Sequence, residues 1–418
     1  MVTIASLGEQ QNDVQIGSSC LRECEFQELK MRHRRVSSAV FSLSTLFFSL
    51  NAFSVRATAI SYVLVCLLAF LNSPTLSRRT ESLVRIATYW WLTVFFAFVV
   101  SAFGDFYINS YIKFLLIQMY ICLIYWMFSS DVLNRVSMEW ACQFLIYTHA
   151  TFFIFQLAYY LATGHFIDFD NYVRETDAEA LYATKALNDS LISIRALGLY
   201  SEPSFYAMTV VPCGTLLLLL KRRVTIPSVV AFGTALLSFS VAAMIIVAMI
   251  CALYVIFGQV PNKIRLAAFV VALLSIPPLY HVYDLRVNQS VDYDAVASRT
   301  MVFNEIEKRD VLSNVFGNGL FWNEQNNVGK THLRGFNVRD SSFYVYIVFA
   351  AGGFGALVFC GALLYMFWVK GRRQYIFYLF AILLFKYHVL YGMFWLTVLM
   401  FLVLSRQVIQ PTVFRLRS

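Results

Sequence analysis

Apolar runs recur along almost the whole chain, and charged residues are confined to the gaps between them. The runs are residues 36–53, 57–72, 86–103, 111–130, 139–163, 200–220, 225–238, 240–258, 264–282, 341–369, 374–388 and 389–405. A helix rises about 1.5 Å per residue, so about twenty apolar residues cross a hydrocarbon layer roughly 30 Å thick. Within that layer the backbone must satisfy its own hydrogen bonds, and for runs of this length that means helices. The expected fold class is an all-α polytopic membrane protein with about twelve transmembrane helices. Composition agrees: 59% of residues are hydrophobic and only 14% charged, against about one quarter charged in soluble domains. Some boundaries stay open. The stretch 225–258 reads as two spans, or as one long span plus a re-entrant piece, because "SFSVAA" barely interrupts it. The stretch 374–405 must divide near "KYH", residues 386–388.

Positive charge orients such a chain, since short basic loops stay on the cytoplasmic side. "RHRR" precedes the first run, "SRRTESLVR" follows the second and "KRR" the sixth. "NKIR" follows the eighth, "KGRR" the tenth, and Arg406, Arg415 and Arg417 close the chain. The alternate short loops hold only Arg56 in one case and Asp105 in another. The alternation accommodates twelve spans. It places residues 1–35 and 406–418 as cytoplasmic tails and 36–405 as one transmembrane domain. Two long loops, about 164–198 and 283–340, then lie outside. The net charge of +9 reads as orientation and attraction for anionic substrates, not as nucleic-acid binding. About thirty-five polar residues precede the first run, so that run is expected to stay as an anchor. Cys66, Cys122, Cys142, Cys213, Cys251 and Cys360 lie singly in apolar stretches and read as small buried hydrophobes. Cys20 and Cys24 have no second ligand pair at metal-binding distance.

The long loops offer room for chemistry. The first places Leu181, Leu187, Leu191 and Ile194 near helical spacing, which predicts a helix lying on the membrane surface. In the second, "SRTMVFNEIEKRDVLSNVFGNG" predicts a helix capped by Ser298, carrying Arg299 near its start and stopped by Gly317 or Gly319. The polar stretch that follows, "LFWNEQNNVGKTHLRGFNVRDSS", predicts a mobile loop.

The stretch "RALGLYSEPSFYA", residues 195–207, sets Arg195 and Glu202 at the mouth of an apolar run. Pro203 is tolerated in a first turn and Ser201 can cap, so a helix is expected to begin at Ser201–Pro203. Its N-terminus carries partial positive charge and unpaired N–H groups, which favour anions. Before the tenth run the arrangement repeats, with Arg339 followed by Asp340 and Ser341 as cap candidates. Arg299 and Arg334 add charge from the second loop. A lipid phosphate or pyrophosphate suits such a surface, because guanidinium grips phosphate bidentately and stays ionised. Simpler roles compete. The helix dipole alone stabilises Glu202, which could also just pair with Arg195, and Asp340 suits a cap. Lys113, His149, Lys386 and His388 fall within runs and are suspects by position. Lys113 could snorkel, His149 could sit neutral in the bundle, and His332 could be a base or merely exposed. Neither a "GxxxxGK[ST]" nor an "HExxH" motif occurs, and no paired aspartates stand in an outer loop. The expected chemistry therefore needs no metal and no cofactor and relies on arginine electrostatics.

Taken together, about twelve spans, two large outer loops, "RxxGxxxEPSxxA" and "R…GNG…DSS" resemble Wzy-type bacterial polysaccharide polymerases, whose architecture the O-antigen ligases share. The resemblance spans most of residues 36–405 in topology, while its motif residues are few. Many members carry a histidine in "DSHN", where this chain has "DSSFY". The resemblance implies inverting, metal-independent glycosyl transfer at the periplasmic face of the bacterial inner membrane, with both termini cytoplasmic. The growing glycan would pass from undecaprenyl pyrophosphate to a sugar hydroxyl of a new lipid-linked repeat unit. Implied partners are these lipid-linked oligosaccharides, membrane lipid, a chain-length regulator and a flippase. Arg195 and Arg299 would bind the pyrophosphate, and Glu202 would orient or deprotonate the acceptor. Arg334, Arg339, His332, Asp340 and Ser204 would support substrate. Two rivals remain. A ligase would pass the glycan to lipid A core. A transporter would carry charged or broken helices near the midplane.

Overall fold

The computed structural model describes residues 32–77, 80–174, 195–258, 295–329, 331–368 and 373–407, with short pieces between 261 and 280. Among these residues the fold is helical, with no strand and two isolated bridges. The main helices are α1 (32–49), α2 (Val55–Leu71), α3 (Thr80–Ser101), α4 (Ile108–Ser129) and α5 (Arg135–Thr163). They continue as α6 (Pro203–Lys221), α7 (Ile226–Leu237), α8 (Val241–Phe257), α9 (Ala295–Glu307) and α10 (Val311–Phe316). The last are α11 (Gly335–Arg339), α12 (Phe343–Trp368), α13 (Arg373–Ile382) and α14 (Gly392–Gln407).

Among the described residues, five helices are long and apolar enough to cross a membrane: α3 from Leu83, α4, α5, α6 and α12 to Phe367. Large apolar side chains such as Phe70, Trp91, Leu92 and Leu357 point outward from the bundle, as a bilayer-facing surface requires. Cys66 and Cys251 are also exposed, contrary to the buried reading, whereas Cys142 and Cys213 lie in the core. The remaining apolar helices are shorter. α7 has 12 residues, a length of about 18 Å, too little to cross alone. The break between α7 and α8 is a defined turn: Phe239 has φ 50° and Ser240 caps α8 through Ala243 N. The expected run 264–282 and the surface helix at 181–194 lie outside the described residues.

α6 is the hub. It packs against α5, α7, α8, α13 and α14, and 83% of its most apolar window is buried. α3 is the opposite case, with 22% of its window buried. Polarity follows position: α6 is apolar all round because helices surround it on every side.

The second loop departs from expectation. Its helix starts at Ala295, so Ser298 lies inside it, and it breaks before Asp310, which caps α10 by accepting from Ser313 N at 3.2 Å. Gly317 stops α10 as expected. The following stretch is a packed cap, because Leu320, Phe321, Trp322, Val328, Leu333 and Val338 are buried. Its polar composition and irregular apolar spacing hid this core. The "GNG" turn is wedged against a kink in α12 at Gly352, where φ is 65°. A Cβ on Gly317 (φ 79°) would meet Ala350 O at 2.3 Å, and one on Gly352 would meet Val315 O at 2.3 Å. Both positions need glycine for left-handed backbone and for close approach.

Candidate functional site

The site forms at the N-terminal end of α6 and starts from a pinned loop. Gln156, buried on α5, accepts from Leu197 N at 2.7 Å and Gly198 N at 3.0 Å through Oε1. Its Nε2 donates to Ile167 O at 2.7 Å. Gly198 turns the chain with φ 63°. Tyr200 then enters the core, where its hydroxyl donates to Thr209 Oγ1 at 2.9 Å and lies 3.1 Å from His149 Nε2. His149 Nε2 is also 3.0 Å from Ser49 Oγ. His149 thus belongs to a polar network that holds the loop.

That loop delivers Arg195, which is 4% exposed, and Glu202. Glu202 is the N-cap residue of α6 in place of the expected Ser201, and its side chain makes no capping bond. The carboxylate is engaged elsewhere: Oε2 accepts from Ser204 Oγ at 3.0 Å and from Lys386 Nζ. Lys386 Nζ also bonds Asp340 Oδ1 at 3.0 Å and lies 4.5 Å from the Phe205 ring centroid. Asp340 therefore serves an ion pair. It ends α11, and α12 begins only at Phe343.

A proline in α6 helps to place Lys386. Pro212 has no N–H, so the carbonyl one turn earlier, on Met208, loses its helical donor. Tyr387 supplies one: its hydroxyl donates to Met208 O at 2.6 Å. Lys386 and Tyr387 belong to the non-helical connection between α13 and α14, where a division near "KYH" was expected.

Burial alone would raise the Glu202 carboxyl, but Lys386, Ser204 and Arg195 outweigh it and hold it below the usual range. Burial would lower Lys386, yet Asp340 and Glu202 raise it. An ionised, tightly paired carboxylate is a weak proton acceptor. The geometry favours Glu202 as a hydrogen-bond acceptor that orients a hydroxyl.

The other candidates divide. Arg339 is buried under the cap. It pairs with Glu324, donates to Trp322 O at 3.4 Å and sits 5.8 Å from the Trp322 ring centroid. Burial pushes its guanidinium down to about 10. Arg334 caps α11, and it and His332 are exposed on the polar cap. Arg299 falls on the fifth residue of α9, and the role expected of its side chain lies outside what the structure describes. Ser204 joins the site directly. Sequence reasoning flagged Lys386 as a suspect by position without naming its partner, and it missed Gln156, Pro212 and Glu324. A lysine between two apolar runs and a proline inside one were the available signals. Groups of His, Cys, Asp and Glu suited to a metal do not occur among the described residues.

No family model, curated protein or solved structure matches this chain. Among the described residues the architecture is helical and of membrane type, and Arg195, Glu202, Asp340 and Lys386 form an ionic centre in which Asp340 is the most exposed member.

Proposed function

We propose that the protein is a polysaccharide repeat-unit polymerase of the bacterial inner membrane, with both termini cytoplasmic and the ionic centre facing the periplasm. The observation that carries this reading is the meeting of Arg195 and Glu202, from the "RxxGxxxEPSxxA" stretch, with Asp340 of "DSS". Lys386 joins the two segments, although 137 residues, 203 to 339, lie between Glu202 and Asp340. An apolar belt around the bundle suits a substrate held in the bilayer by a polyprenyl tail. In this reading the acceptor hydroxyl, oriented by Glu202, attacks the anomeric carbon of the donor glycan. The carbon–oxygen bond to pyrophosphate breaks with inversion. The hydroxyl proton passes to solvent, and the departing pyrophosphate carries its negative charge to the arginines, Arg195 and Arg299. The step needs no cofactor.

The test is a gel of surface polysaccharide from a deletion strain complemented with wild type, Arg195→Ala, Glu202→Ala or Arg299→Ala at matched protein levels. The reading expects a ladder with wild type, core plus one repeat unit in the deletion, and loss of the ladder in the variants. Long polymer left on the lipid carrier would make the protein a ligase. Lipid-linked units trapped on the cytoplasmic face would make it a transporter.

A further inference from the structure

The second long loop carries two surfaces of opposite character. On the cap that follows the "GNG" turn, the exposed residues are mostly polar, among them Glu324, Gln325, Asn327 and His332. α10 does the reverse. Its Val311, Leu312 and Val315 are 81%, 55% and 41% exposed. At helical spacing these three share one side of α10, with Phe316 at its margin, while Asp310, Ser313 and Asn314 share the other. An apolar side left this open on a loop would be costly in water.

Packing fixes the depth of α10. Its last turn lies backbone to backbone against α12, where a Cβ on Gly352 would collide with Val315 O and one on Gly353 would touch Asn314 O at 3.6 Å. Gly352 lies nine residues into α12 from Phe343, a rise of roughly 14 Å. The Phe316 ring stacks on Phe103, just past the end of α3, at 4.5 Å and lies 6.0 Å from Phe354 of α12. Phe354 is 6.3 Å from Phe96 of α3. Both α3 and α12 are long and apolar enough to cross a membrane. α10 therefore sits level with the end of α3, and the first turns of α12 run past it into the cap. The kink in α12 ties it there. Phe349 O accepts from Arg309 Nη1 at 3.0 Å and from Asn318 N at 3.1 Å, and the Arg309 guanidinium lies 3.9 Å from the Phe349 ring centroid. The segments on both sides of α10 thus pair backbone that the kink leaves open, as a break in a membrane helix demands.

The open side of α10 is continuous with the bilayer-facing surface. Phe103 and Phe354, the rings that hold Phe316, are exposed themselves, and Leu357, one turn further along α12, is more exposed still. A short amphipathic segment that ends level with a crossing helix, and whose apolar side runs on into that helix's outer surface, meets the edge of the hydrocarbon layer. We propose that α10 is an interfacial anchor, with Val311, Leu312 and Val315 set among the acyl chains of the leaflet on the second loop's side. The second loop is then divided: its cap stands in water and α10 in lipid, whereas the charge pattern alone puts the whole loop outside. This goes beyond the polymerase reading and uses none of it.

The experiment places the photo-crosslinking residue p-benzoylphenylalanine at one position at a time in the full chain, in phosphatidylcholine nanodiscs. Mass spectrometry after irradiation counts attached phospholipid. Leu357 is the lipid reference and His332 the water reference. Leu312 and Val315 should capture lipid within about twofold of Leu357 and about fivefold more than His332 or Asn314. Capture at Leu312 as low as at His332 would put the face in water and overturn the anchor. Equal capture at Leu312 and Asn314 would overturn the placement of one helix face, and a second copy of the chain captured at Leu312 in place of lipid would make the face an oligomer interface. Hydroxyl-radical footprinting of the unaltered chain in the same discs checks the result without a probe. Oxidation of Leu312, corrected for intrinsic reactivity, should match that of Leu357, and oxidation matching that of Phe336, exposed on the cap, would overturn the anchor. None of these readings involves polysaccharide, so the ladder tests the polymerase reading by itself.

Discussion

Two lysine–glutamate pairs sit at opposite ends of α6, and they differ in the burial of the lysine and in what else it binds. At the C-terminal end Lys221 meets Glu139 of α5 at 2.7 Å, with side chains 37% and 20% exposed. At the N-terminal end Lys386 meets Glu202, with side chains 10% and 17% exposed, and also binds Asp340. The first pair joins neighbouring helices across a partly wet edge. The second joins three segments far apart in sequence, with Arg195 close enough to act on Glu202. The difference teaches that surroundings, not the pair itself, make a site. Ions at an edge are screened by water and can separate at little cost. A lysine as buried as Lys386, 10% exposed, cannot be removed without stranding the carboxylate it pairs with.

The largest expected effect comes from breaking the buried pair on its cationic side. Lys386→Met leaves Glu202 and Asp340 facing each other without their shared cation, at a cost of about 3–5 kcal/mol. A steep fall in unfolding midpoint, or in folded yield after detergent extraction, is the expected reading. A midpoint equal to wild type would dissolve the contrast between the two ends.

Glu202→Gln should cost less, since the amide still accepts from Ser204 and Asp340 still pairs with Lys386. The expected loss of stability is about 1–3 kcal/mol. Polysaccharide chain length should suffer far more than the unfolding midpoint does, and parallel losses would mark Glu202 as structural.

Acid separates the ends next. Because the folded Glu202 carboxyl titrates below its unfolded value, near 4.5, its contribution is fully present above that value. It is lost as pH falls through the lower folded value. Unfolding midpoints measured from pH 7 downward should therefore drop more steeply in wild type than in Glu202→Gln once the pH passes below about 4.5, the unfolded value. Identical slopes would show that Lys386 does not hold the carboxylate ionised.

The smallest effect belongs to the other end. Lys221→Met should change stability by about 0–1 kcal/mol and leave the polysaccharide ladder intact. A loss comparable to that of Lys386→Met would mean that the two pairs are alike after all.

Much of the architecture was legible because helix formation in an apolar layer is a local matter. Length and apolarity alone marked α4, α5, α6 and α12, and Pro203 marked the start of α6 within a residue or two. Boundaries failed where a cap had to be chosen. Ser201 gave way to Glu202, and Ser298 fell inside α9. The "LFWNEQ" stretch failed for another reason. Its apolar residues follow no helical or strand period, so only docking against 105–107 and α12 reveals them as core, through bonds such as Tyr107 N to Phe321 O at 2.5 Å.

The sequence by itself determined that the chain is helical, that its helices are of membrane type, and that Arg195 and Glu202 stand together at the start of one of them. Each of these follows from neighbours within a few turns. Only the tertiary structure decided that Lys386 is the partner of Glu202, that Asp340 shares that lysine, and that Arg339 turns away to Glu324. Charge pairing acts through space, and a lone lysine carries no local sign of which distant carboxylate it will meet. The packing of α6 among its neighbours, with Tyr387 bonded to the carbonyl that Pro212 freed, brings that lysine to its place.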